Sequence, residues 1–141
     1  MKIKKKVYVG LAVDIIHEGH INILKKASSL GDVTVGLLTD EAITSYKNIP
    51  HLDFKRRKII IQNIKYVKKV IPQNTLDYVS NLNLLKPDFV VHGNDWKQGI
   101  QKKTRERVIK TLKKWSGQPA GALTQLWIYQ RVVIFMKLVN G

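Results

Sequence analysis

The stretch Val7–Leu24, VYVGLAVDIIHEGHINIL, decides how the chain is read. Its first part is an almost unbroken apolar run with β-branched residues, the pattern of a strand covered on both faces. From His20 the period changes. Ile21, Leu24, Ala27 and Leu30 recur at helical spacing, and Gly31 stands where such a helix would stop. Between the two lies a short polar segment holding Asp14, His17, Gly19 and His20, which this reading puts at the carboxyl end of a buried strand.

The same alternation continues outward. DVTVGLL (32–38) reads as a second buried strand, and TDEAITSYKNIPHLD (39–53) as a polar loop with one irregular helical turn. FKRRKIIIQNIK (54–65) is helical, VKKVIP (67–72) a short strand and TLDYVSNLNLLK (75–86) helical. PDFVVHG (87–93) is a strand and QKKTRERVIKTLKKW (101–115) a long basic helix. Strands alternating with helices imply an α/β fold, a single Rossmann-like domain whose parallel sheet is flanked by helices. Ligands of such sheets bind beyond the carboxyl ends of the strands. HEGH, the TD…YK loop and HGNDW all fall there.

The 141 residues suffice for one ordinary domain. A formal charge of +15 favours an anionic partner: nucleotide, phosphorylated metabolite, nucleic acid or membrane surface. Part of that charge lies on solvated faces such as KYVKK, where it serves solubility alone. Cysteine is absent, which excludes disulfides and thiolate metal sites and fits a reducing cytoplasm, the expected location. No stretch reaches the ~18 apolar residues of a membrane span, and the apolar run near the N-terminus stops at Asp14 without a cleavage site. Composition breaks near Gly117: of the 25 Lys and Arg only Arg131 and Lys137 lie beyond residue 115, and none of the ten acidic residues does. The expected division is therefore 1–117 as a nucleotide-binding domain and 118–141 as an atypical C-terminal segment.

His17 and His20 are three residues apart near a helix start, so they project to one side. Gly19 removes a side chain between them and lets a ligand or backbone approach. The first helical turn contributes unpaired N–H groups and the positive end of the dipole, so two imidazoles there make an anion cradle. Plain capping histidines are the alternative. A zinc site would need His51 and His92 to converge from separate loops, and no protein metal site is expected.

The strand with Gly10 and Asp14 followed by HEGH resembles the H-x-G-H signature of the cytidylyltransferase-like nucleotidyltransferase superfamily. VTVGLLTDEAITSYK, RRKIIIQNIKYVKKVIP, LKPDFVVHGNDW and KKTRERVI follow in the family's order, most like the cytidylyltransferases of phosphonate and phosphoryl headgroup pathways, the type associated with phosphoenolpyruvate mutase. The resemblance implies transfer of CMP from CTP to a small phosphonate or phosphorylated acceptor with release of pyrophosphate. Mg2+ would arrive with CTP, held mostly by triphosphate oxygens. By motif position His17, His20 and Lys47 would be catalytic, the histidines over the α-phosphate and the lysine swinging onto phosphate. Gly10, Asp14, Gly19, Arg57, Asp95 and Trp96 would form the nucleotide site, with Asp14 orienting the histidines or approaching the metal-nucleotide, while the helix placement of Arg57 also permits a structural ion pair. Dimerisation is common in the family, so a homodimer is implied.

One departure stands out. Beyond Trp115 there is no counterpart of the family's R-T-x-G-I-S-S/T-T segment, which binds the β and γ phosphates; Thr124 is the only Ser or Thr after residue 117. Loss of that clamp implies impaired activity, so an inactive nucleotide-binding relative remains a competing reading. A basic nucleic-acid-binding protein is a third, without a recognition signature in its favour.

Overall fold

A computed structural model describes residues 4–92 and 101–114. In chain order these form β1 (Lys6–Leu11), α1 (Glu18–Leu30), β2 (Asp32–Leu38), α2 (Asp40–Thr44), α3 (Phe54–Gln62), β3 (Lys69–Gln73), α4 (Val79–Leu85), β4 (Phe89–Val91) and α5 (Gln101–Lys113). The strands pair in parallel in the order β3-β2-β1-β4. The expected α/β sheet flanked by helices is what the chain forms.

Side-chain alternation on β1 sorts the two faces. Val7, Val9 and Leu11 pack with Leu24 and Ala27 of α1 and Ile61 of α3. Tyr8 points the other way, into a second core with Tyr78, Leu82 of α4, Val90 of β4, and Val108 and Leu112 of α5. Two glycines on this second face make room for tyrosines. Gly10 and Gly36 are register partners on β1 and β2, and a Cβ on either would lie within 2.2 Å of the Tyr78 or Tyr8 hydroxyl respectively. The two tyrosine rings then meet edge to face, 5.6 Å between centroids. The buried Tyr8 hydroxyl bonds to Gln73 and accepts from Asn81 Nδ2 at 3.0 Å, which ties β1 to the end of β3 and to α4.

Local chemistry moves several boundaries. The polar loop after β2 opens with a five-residue helix, α2, because Thr39 caps it by accepting the Ala42 N–H. β3 starts at Lys69 because Val67 N–H is turned back onto Ile64 O. α4 starts at Val79 because Thr75 and Asp77 form a side-chain turn and Asp77 accepts the Val79 N–H. Gly31 ends α1 as expected, but in extended rather than left-handed geometry; it is needed because a Cβ would strike Lys5 O at 2.2 Å. Among the described residues, no helix is long and apolar enough to cross a membrane. The segment 118–141, and Asp95 and Trp96, lie outside the described residues.

Candidate active site

From β1 the chain passes outward to β2 and β3 and then returns to the other side of β1 as β4, so the strand order reverses at the carboxyl end of β1. Open α/β sheets bind ligands at such a point. A cavity of about 450 Å3 lies there. Its walls are the end of β1 and the following loop from Val9 to Ile15, His17, His20 and Ile23 of α1, Tyr46 and Lys47, Gln73, Leu76 and Tyr78, His92 and Thr104.

His17 is the N-cap of α1, and the pair forms a capping box built of imidazoles. His17 Nδ1 accepts the Gly19 N–H at 3.1 Å, and His20 Nδ1 accepts the His17 N–H at 3.2 Å. The rings sit close in a tilted arrangement, with centroids 4.0 Å apart and planes 41° from parallel. A ring nitrogen that accepts fixes the tautomer, leaving Nε2–H as the donor each ring can offer to a ligand. Two amides expected to be open for an anion are thus taken by the histidines, and the Nε2–H groups replace them. Gly19 serves the same box: a Cβ there would lie 2.9 Å from His17 Cε1, so the group it admits is the His17 ring.

Burial, then the nearby His17 and then Lys47, lower the pKa of His20 below the usual imidazole value. Protonation would also turn its Nδ1 into a second donor facing the His17 N–H. His20 is therefore a neutral hydrogen-bond donor at pH 7, and Lys47, whose Nζ lies 5.4 Å from the Tyr46 ring centre, brings an ammonium group to the cavity wall. A long flexible ammonium suits contact with a phosphate that moves during reaction.

Asp14 and Arg57 have partners that the sequence did not reveal. Asp14 accepts from His51 Nδ1 at 2.7 Å and from Leu52 N–H at 3.1 Å, rather than orienting the histidines of the box. Those bonds, with His51 first, hold its carboxyl down at about 2. Arg57 is 1% exposed. Its guanidinium donates to Leu52 O (3.0 Å), Ala12 O and Leu38 O (2.8 Å each) and the Asp40 carboxylate (2.6 Å), beneath the cavity and outside its wall. It braces the ends of β1 and β2 against the start of α3. Gly10 lines the cavity, and what approaches it is Tyr78. Sequence reading missed Tyr46, Gln73, Tyr78 and Thr104 as wall residues. Only Gln73, a polar residue closing an apolar strand, carried a signal.

A two-histidine helix cap, a lysine in the wall and a cavity at the reversal point of a parallel sheet define a nucleotide-handling α/β domain. The chain belongs to the cytidylyltransferase-like family, whose model matches residues 8–138. It is 36% identical over 95 residues to glycerol-3-phosphate cytidylyltransferase of Bacillus spizizenii, covering 66% of this chain and 74% of that one. It is 38% identical over 94 residues to ethanolamine-phosphate cytidylyltransferase of Mus musculus, covering 64% of this chain but only 23% of the mouse protein. FAD synthase of Archaeoglobus fulgidus is 37% identical over 82 residues, 58% of this chain and 60% of that protein. Among solved structures, the lipopolysaccharide core biosynthesis protein of Thermoplasma volcanium superposes with a TM-score of 0.64 at 28% identity, over 73% of this chain and 88% of that one.

Proposed function

We propose that this chain transfers CMP from MgCTP to a small phosphorylated or phosphonate acceptor and releases pyrophosphate. The observation that carries the reading is the imidazole box, two Nε2–H donors beside Lys47 at the reversal point of the sheet. An acceptor oxygen, already anionic at neutral pH, attacks the α-phosphorus of CTP. The bond from that phosphorus to the bridging oxygen breaks and pyrophosphate leaves in line. No general base is required, so the protein's task is to position two anions and to neutralise charge that builds on the α-phosphate and leaving group. His17 and His20 donate to the α-phosphate region; Lys47 follows the leaving group. Asp14, the carboxylate among the described residues that line the cavity, already accepts from His51 and Leu52, which favours Mg2+ entering as part of the substrate, on triphosphate oxygens and water.

CTP as the nucleotide rests on the family and on the names of two relatives. Those names put glycerol-3-phosphate and ethanolamine phosphate first among acceptors; 2-aminoethylphosphonate follows from the likeness to phosphonate-pathway enzymes. Pyrophosphate release with these three acceptors, and with ATP in place of CTP, tests the reading. Release that depends on one acceptor and on CTP supports it, whereas release with none of them overturns it. The missing R-T-x-G-I-S-type end favours a second reading, a nucleotide-binding relative without turnover, which predicts CTP binding and no pyrophosphate. The homodimer belongs to the first proposal, and sedimentation velocity reads it directly.

A further inference from the structure

Lys47 sits on the segment between α2 and α3, and how far it reaches into the cavity depends on where that segment is fastened. Upstream, Lys47 N–H donates to Ile43 O at 3.0 Å and closes the end of α2. Downstream the fastening is unusual. The peptide of Leu52 is gripped from both sides, its N–H by Asp14 and its carbonyl by Arg57, and the neighbouring His51 adds its Nδ1 to the same carboxylate. Arg57 also holds Ala12 O, two residues before Asp14, so the two grips share a base at the exit of β1. Val13, between Ala12 and Asp14, has φ of 28°, a left-handed value that a β-branched residue rarely adopts. Strain of this kind persists where the surroundings over-determine the backbone.

Stability alone does not account for the His51 contact. The His51 side chain is 85% exposed and that of Asp14 24%, and pairs at such a surface contribute little to folding. The contact does fix position: it holds the segment carrying Lys47 against the loop that leads into the histidine box.

We propose that Asp14 and His51 are positioning residues that latch the Lys47 segment over the cavity, with Arg57 closing the clamp on Leu52. The proposal rests on the reading of Lys47 as a phosphate ligand. Asp14 then acts on the nucleotide through Lys47, its two oxygens each accepting a hydrogen bond from residues 51 and 52.

Two measurements on the full chain decide this. In the ligand-free protein, Asp14→Ala is expected to accelerate hydrogen exchange of the Leu52 amide, and His51→Ala to do so more weakly; an unchanged Leu52 amide in both overturns the latch. A double-mutant cycle on CTP affinity, by calorimetry, then tests the route. Asp14→Ala is expected to weaken binding about tenfold when Lys47 is present and less than about twofold in a Lys47→Ala background, the non-additivity of coupled residues. Equal losses in both backgrounds overturn the proposal and make Asp14 a direct ligand. His51→Ala, exposed and tolerant, runs the same cycle if Asp14→Ala does not fold. A wild-type chain that binds no CTP sinks the functional reading instead, and the exchange result still decides whether the latch exists.

Discussion

His17 and His20 each turn Nδ1 inward to an amide of the same helical turn, and that one choice leaves Nε2 facing outward on both rings. Burial lowers the pKa of His20, so its protonation favours the unfolded chain. The stability this confers is complete above pH ~6.5, the ordinary imidazole value, and declines as pH falls below it toward the folded value. NMR titration of the ring carbons is expected to show His20 titrating below that value, and a His20 that titrates at or above it contradicts the account. Asp14 shows the usual carboxylate sign. The bonds from His51 and Leu52 hold its folded pKa down at about 2, below the ordinary carboxylate value of 3.8, so the latch is intact above pH 3.8 and is lost as pH falls toward 2. The Leu52 amide shift, followed by NMR through that window, is expected to move toward the value seen in Asp14→Ala. At this scale the histidines and Lys47 were legible because a short motif places them and the fold brings them together. A structural ion pair of Arg57 was a readable alternative, but its partners and those of Asp14 were not, because they lie 37 or more positions away in Asp14's case and up to 45 in Arg57's.

Among the elements, α3 does most to hold the site floor, through one buried arginine. Removing one partner of a buried ionic network leaves the others unsatisfied, here Asp40 and three carbonyls. Arg57→Met is therefore expected to destabilise the fold by about 3 kcal/mol or more in urea unfolding, through an altered midpoint. A change within about 0.5 kcal/mol, the range of ordinary surface substitutions, would show that the brace carries no weight. The glycine pair on β1 and β2 makes a separate prediction. Gly36→Ala places a methyl group into the Tyr8 hydroxyl, and Tyr8 is already held by Gln73 and Asn81. Overpacking of this sort costs about 1–3 kcal/mol, and a Gly36→Ala/Tyr8→Phe double variant is expected to recover part of it in thermal melts. Strand and helix identities were readable from apolar period. A helical turn in 39–53 was readable too, but not its place as α2 at the start of that stretch, which rests on one threonine cap, and the delayed start of α4 depends on a turn of side chains.

For the molecule as a whole, the order β3-β2-β1-β4 matters more than any single element, because it opens the sheet at the point where the histidine box begins α1. The parallel sheet was legible from alternating strands and helices; the position of β4 beside β1 was not, because sequence order alone leaves either edge open. The charge of +15 favoured an anionic partner without choosing one, and the family match, with Lys47 in the cavity wall, favours a nucleotide. The claim that matters most is that the imidazole box acts on the transition state. Its most direct test is single-turnover pyrophosphate release from MgCTP with the best acceptor, alongside the CTP dissociation constant, in wild type and His20→Ala. The account predicts release about 10²–10³ slower in the variant with CTP affinity nearly unchanged, as when one transition-state donor is removed. Unimpaired release from His20→Ala, or a loss confined to CTP binding, would contradict it.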